Sequence, residues 1–121
     1  MAVRRIVRNV QVADPAVAQA FYGDVLGMEP AMDMGWIVTF FSPAAACEGP
    51  SPVQISFATQ GGSGTGVPDL SIEVDDFDAV LARVMERGYE VTYGPVDEPW
   101  GVRRFFVRDP AGQIVNILTH T

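Results

Sequence analysis

The sequence predicts an α+β fold made of two similar halves, each running strand–helix–strand–strand–strand. Three observations predict it. First, the segment Val10-Gln11-Val12-Ala13-Asp14 through Gly27 resembles Ile72-Glu73-Val74-Asp75-Asp76 through Gly88, with Val12 and Val74 62 positions apart. Second, each copy passes from strand-like residues to an apolar stripe at helical spacing and closes on a glycine. Third, strand-like runs follow each helix, and the glycine-rich stretch Gly61-Gly62-Ser63-Gly64-Thr65-Gly66 separates the halves.

The elements follow in chain order. The first strand ends at Val12, and Asp14 before Pro15 is a helix cap followed by a residue suited to the first helical position. Val17, Ala20, Phe21 and Val25, with Leu26 beside them, form the apolar stripe of a three-turn helix that Gly27 terminates. Trp36 to Phe41 and Val53 to Thr59 read as strands. Between them, Ser42 to Pro52 holds too much proline to be regular and contains Cys47. In the second half Asp75 or Asp76 caps a helix whose stripe is Phe77, Val80, Leu81, Val84 and Met85, and Gly88 ends it. Glu90-Val91-Thr92-Tyr93 begins a strand; Arg103 to Arg108 and Gln113 to Thr119 are two more, joined by the turn Asp109-Pro110-Ala111-Gly112. The halves are thus about 1–59 and 69–121, joined by a flexible connector over 60–68.

Composition narrows the function. With 121 residues, 48% hydrophobic and 19% charged, the chain is a globular domain that needs no disulfide staples. Its net charge of −7 disfavours nucleic acid and leans toward a cationic ligand. All eight basic residues are arginines, so neither a Schiff-base lysine nor a phosphate-loop lysine exists. One cysteine and one histidine, His120, leave no Cys-rich or His-rich metal site. No apolar run reaches the ~18 residues of a membrane span, and Met1 to Asn9 has no apolar segment of a secretory signal, so a cytoplasmic protein without membrane or nucleic-acid partners is expected.

Three motifs carry a family resemblance: Val12-Ala13-Asp14 with Phe21-Tyr22-Gly23-Asp24-Val25-Leu26-Gly27, Val74-Asp75-Asp76 with Gly88, and Trp100-Gly101 with Asp109-Pro110-Ala111-Gly112-Gln113. Together the sequence resembles the vicinal oxygen chelate superfamily, which includes glyoxalase I, bleomycin-resistance proteins and extradiol dioxygenases. The resemblance implies tandem βαβββ modules forming a curled mixed sheet, a cup, with helices on the outer face and ligands inside. It also implies a homodimer. Many members hold a divalent metal at positions that correspond here to Val7, Asp69 and Asn116. An alkyl group, a lone carboxylate and a neutral amide are too weak a set for a transition metal, so no metal and no other cofactor is expected.

Strand alternation names what lines the cup instead. Ile6, Arg8, Val10 and Val12 turn to the helices, leaving Val7, Asn9 and Gln11. Val53, Ile55 and Phe57 leave Gln54 and Ser56; Leu70, Ile72 and Val74 leave Asp69, Ser71 and Glu73; Arg104 sides with Phe106, and Asn116 with Leu118. The candidate ligand-binding residues are therefore Asn9, Gln11, Gln54, Ser56, Ser71, Glu73, Trp100, Arg104, Phe106 and Asn116. The same alternation also describes polar residues facing water on an open sheet. Glu73 is the candidate catalytic base; its alternatives are a salt bridge to Arg104 or simple hydration. The clusters Arg4-Arg5-Arg8 and Arg103-Arg104-Arg108 otherwise read as interface or surface salt bridges. The leading reading is a metal-free binder of a small organic molecule, such as a drug or natural product. A metal-free lyase or isomerase of the same fold is the alternative, followed by a metal-dependent glyoxalase or dioxygenase with other ligands.

Overall fold

A computed structural model describes residues 2–43, 51 and 53–121; Cys47 and its neighbours over 44–50 lie outside the described residues. The fold is α+β with a mixed sheet, as the sequence predicts. The chain divides into two compact units, the residues up to Ile6 with Pro68–Thr121, and Val7–Val67. The first strand, β1 (Val3–Gln11), contributes to both.

The unit containing Pro68–Thr121 holds β5 (Leu70–Val74), α1 (Phe77–Glu86), β6 (Val91–Glu98), β7 (Val102–Arg108) and β8 (Ile114–His120), with strand order β1-β5-β8-β7-β6. β5 and β8 are parallel; β7 pairs antiparallel with both β6 and β8. Asp76 caps α1 by accepting from the Ala79 N–H at 3.1 Å. Asp75 instead exchanges hydrogen bonds with Ala2, accepting at 2.6 Å through its side chain and donating at 3.1 Å through its backbone. The Ala2 N–H holds the Asp75 carboxyl below its ordinary value. Phe77, Val80, Leu81 and Val84 of α1 pack on Val74, Phe105, Val107, Val115 and Ile117. Met85, assigned to this stripe from the sequence, is exposed instead. It stands at the end of a helix that Gly88, at φ +74°, terminates.

The turn after β7 follows the expected chemistry: Asp109 Oδ1 accepts from the N–H groups of Ala111 and Gln113, both at 2.9 Å. β6 runs well past Tyr93, with a register shift between Tyr93 and Val96 where Gly94-Pro95 interrupts the ladder. A Cβ on Gly94, at φ +77°, would sit 2.6 Å from the Arg104 carbonyl oxygen, so close strand approach requires glycine there.

The second unit holds β2 (Glu29–Asp33), β3 (Ile37–Phe41) and β4 (Val53–Ala58), in the order β2-β3-β4-β1. β2 is the one strand of the predicted strand–helix–strand–strand–strand pattern that the sequence does not locate in this half. All five of its residues are exposed, so it has no alternation, and it carries Pro30, which suits only an edge strand. The three-turn helix expected over Pro15 to Leu26 is a 3₁₀ turn, Pro15–Ala18, followed by a π turn, Gln19–Gly23. Asp14 caps it at Ala16 (3.0 Å), and Asp24 and Leu26 donate five residues back, to Gln19 and Phe21.

The buried face of this segment also differs from the one read. Pro15 and Ala18 are buried and Tyr22 half-buried, whereas Val17 (64%), Phe21, Val25 (68%) and Leu26 are exposed. Both sets fit a helical period, and periodicity alone does not choose between them. Ala18, Val38, Phe40 and Phe57 form this unit's core, with Val10, Val12 and Ile55 against it as alternation requires. Ile6, placed with that set, is exposed. The expected flexible connector closes a hydrogen-bonded turn: Gly61 N donates to Thr65 O at 2.9 Å and Thr65 N to Gly62 O at 3.0 Å.

Phe105 is fully buried beneath α1. Phe105→Ala is expected to destabilise the protein by about 3–5 kcal/mol, read from the midpoint and slope of urea unfolding.

Candidate functional site

β7 and β8 are covered on both faces. Arg104 through Val107 and Val115 through Leu118 are all buried. The apolar members Phe105, Val107, Val115 and Ile117 lie under α1. Their alternates, Arg104, Phe106, Asn116 and Leu118, form the opposite face. The registers Ser71↔Asn116, Asn116↔Phe106 and Tyr93↔Phe106 extend that face across β5 and β6. Polar residues here are therefore not exposed to water as they would be on an open sheet.

The shortest ion pair on this face among the described residues joins Arg104 to Glu98. Arg104 Nε and Nη2 both lie 2.6 Å from Glu98 Oε2, with the two side chains 4% and 3% exposed. Tyr93 donates its hydroxyl to the same oxygen at 3.0 Å. The guanidinium carbon lies 4.8 Å from the ring centre of Phe106, 5.0 Å from Trp100 and 5.3 Å from Tyr93. Desolvation of the two charges is thus met by ion pairing, hydrogen bonding and ring faces together. Arg103 and Arg108, by contrast, make exposed pairs with Asp97, Asp78 and Glu90, as expected of surface arginines.

Glu73 does not pair with Arg104, which Glu98 holds. Its Oε1 lies 3.3 Å from Arg5 Nε, and its Oε2 lies 2.8 Å from His120 Nδ1. Next along β5, Ser71 Oγ accepts from Asn116 Nδ2 at 3.1 Å. This unit thus brings together Ser71, Glu73, Trp100, Arg104, Phe106 and Asn116 of the sequence-derived set. In the other unit Ser56 is buried and shares a 2.7 Å hydroxyl contact with Thr39. Gln54 donates to the Ser51 carbonyl at 2.8 Å, Asn9 is half-buried and Gln11 is exposed.

Glu98, Tyr93, Arg5 and the placement of His120 escaped the sequence reading. Glu98 was legible in principle. Reading Pro99-Trp100-Gly101 as the hairpin turn sets Glu98 opposite Val102 and makes it a diagonal neighbour of Arg104. Arg5 and His120 meet Glu73 only through the strand order.

The metal positions implied by the resemblance do not fit a metal. Val7 is a buried alkyl side chain. The Asp69 carboxylate accepts from the Ile114 N–H at 2.8 Å and so pins the start of β8. Asn116 offers a neutral amide. Among the described residues no group of three or more His, Cys, Asp or Glu is arranged to hold a metal ion. Where Glu73 and His120 do meet, the Arg5 cation stands beside the carboxylate.

Removing one member of the buried ion pair leaves a desolvated charge. Glu98→Ala is expected to cost about 3–5 kcal/mol of stability, and Glu98→Leu with Arg104→Met to recover most of it, both read by chemical denaturation.

No curated protein matches the sequence significantly. Solved structures do match in fold. A structure described as NAD-dependent benzaldehyde dehydrogenase from Legionella pneumophila superposes with a TM-score of 0.73 at 16% identity, covering 96% of this chain and 99% of that one. Methylmalonyl-CoA epimerase from Streptomyces coelicolor gives 0.69 at 17% identity, with 99% of each chain covered. A glyoxalase/bleomycin resistance protein/dioxygenase superfamily member from Vibrio splendidus gives 0.62 at 20% identity, covering 98% and 99%. Such identities speak to fold alone. The sequence itself matches a family over residues 4–117, and on that match the chain belongs to the Glyoxalase/Bleomycin resistance protein/Dioxygenase superfamily.

Proposed function

We propose that this chain binds a small organic molecule on the sheet face opposite α1, without a metal, in the manner of a protein that sequesters a drug or natural product. The observation that carries the reading is burial. Arg104, Asn116 and Phe106 are buried on the sheet face opposite α1. Buried polar groups beside aromatic rings are the ordinary composition of a ligand site. Trp100, half-buried, supplies a ring beside Arg104, and Ser71 and Asn116 supply hydrogen bonds. In this reading the protein is a cytoplasmic homodimer that contacts neither nucleic acid nor membrane. Among the described residues no helix is long and apolar enough to cross a bilayer.

A second reading, a metal-free isomerase or lyase, rests on the 2.8 Å contact between Glu73 and His120 Nδ1. A carboxylate on Nδ1 fixes the imidazole so that Nε2 accepts a proton from a ligand and returns it at another atom. Methylmalonyl-CoA epimerase, similar to this chain in fold, is an enzyme on such a scaffold.

Two experiments test these readings. Binding of a panel of planar aromatic molecules, cationic, neutral and anionic, is measured by tryptophan quenching and calorimetry. Trp100→Ala is expected to weaken the best binder by about tenfold, equivalent to roughly 1.4 kcal/mol of stacking and burial. Absence of saturable binding across the panel, or unchanged affinity in the variant, refutes the binding reading. For the second reading, a bound ligand is incubated in D₂O and its deuterium uptake followed by NMR. Glu73→Gln is expected to slow uptake at least about 100-fold with affinity nearly intact. No uptake with the native protein leaves a binder and ends the enzyme reading.

A further inference from the structure

Each unit leaves an apolar surface uncovered, and the two surfaces carry opposite charge. In the unit Val7–Val67, the helical turns over Pro15–Ala18 and Gln19–Gly23 bury Pro15 and Ala18 and turn their other side outward. Phe21 and Leu26 are each 54% exposed, Val17 is 64% and Val25 68% exposed. Ala16 and Ala20, on the same turns, are exposed too and are too small to hold a neighbour away. Single exposed apolar residues are ordinary on a protein surface, whereas a continuous stripe of them marks a contact surface. The charged residues of this segment are Asp14 and Asp24, both exposed. No lysine, arginine or histidine occurs between Arg8 and Arg83, so no cation of the segment offsets them.

The other unit shows the converse. Arg5 meets Glu73 on the sheet face opposite α1, so alternation along β1 turns Arg4 and Ile6 to the α1 face. Ile6 is nonetheless 53% exposed there, and Ile72 on the neighbouring β5 is only half-buried. α1 therefore does not reach over β1. The helical period says which flank of α1 borders this bare strip. Asp78 lies toward β7, where its carboxylate is 4.0 Å from Arg103. Arg83, in the last turn of α1, and Arg87, at its cap, fall on the opposite flank, toward β5 and β1. Arg4, Arg83 and Arg87 are exposed, and none makes a salt bridge among the described residues.

We propose that a second copy of this chain covers the strip, laying its segment around Phe21 over Ile6 and Ile72 with Asp24 toward the Arg83–Arg87 flank. Charge selects the occupant. Two acidic segments set against each other repel, and so do an acidic segment and an anionic membrane. An acidic stripe on an arginine-flanked strip is complementary, and this chain carries both. The inference rests on the homodimer of the reading above and names the surfaces that form it.

The test reads the oligomeric state of the whole chain by sedimentation velocity and light scattering. The native protein is expected to dimerise. Phe21→Ser is expected to weaken the dimer at least about tenfold by removing an apolar contact from its centre. Two charge reversals, Asp24→Arg and the pair Arg83→Glu with Arg87→Glu, are each expected to weaken it about tenfold or more, because like charges then face each other. Mixing the two reversed proteins is expected to restore near-native affinity, since the reversed segment of one meets the reversed flank of the other. All of these positions are exposed, and rescue on mixing comes only from folded proteins. A native protein that stays monomeric up to about 100 μM, where a specific interface is occupied, overturns the surfaces and the homodimer together. A dimer that survives both reversals, or reversed proteins that gain nothing on mixing, overturns the surfaces and leaves the homodimer in place. Ligand binding is judged separately, by the aromatic panel.

Discussion

The face of β7 opposite α1 depends on one interaction, the ion pair of Arg104 with Glu98. Neither side chain is more than 4% exposed, and neither charge is tolerable at that depth without the other. The pair spans the turn between β6 and β7, so it fixes where Trp100 stands. It also holds the Tyr93 hydroxyl, and the guanidinium rests against three aromatic rings. The close approach of β6 that this requires is met by Gly94, beside the Arg104 carbonyl. The cluster is a rigid wall more than a set of free binding groups. Arg104, singled out from the sequence as a ligand contact, is engaged by the protein itself.

Beside this wall, β5 and β8 carry the other polar residues of the same face. Ladder registers align Ser71 with Asn116 and Asn116 with Phe106. The position is fixed from the other face by Phe105, Val107, Val115 and Ile117 under α1. The neighbouring Glu73 shows the same economy in charge. It is shared between Arg5 and His120.

The sequence showed much of the framework. The caps at Asp14 and Asp76 and the turn at Asp109 are local chemistry and are read from local residues. The face assignments for β4, β5, β7 and β8 also follow from alternation, because a strand has a period of two and leaves little choice. The first helical segment departs from its apolar stripe for a complementary reason. Residues 15–26 offer two apolar sets at helical spacing, and the π turn over Gln19–Gly23 is a departure that no stripe announces. β2 offers no pattern at all, being exposed throughout.

The site divides along the same line. Which residues share a strand face with Asn116 and Arg104 was determined by the sequence, since it needs only alternation and the motifs that place the strands. Which of them meet was decided by tertiary structure alone. Arg5 reaches Glu73 across 68 positions and His120 reaches it across 47, distances over which no local periodicity carries information. Burial belongs to the same category. Alternation sorts side chains to one face or the other, but whether that face meets water depends on what is folded over it. It is burial that separates Asn116, 7% exposed, from an ordinary surface amide.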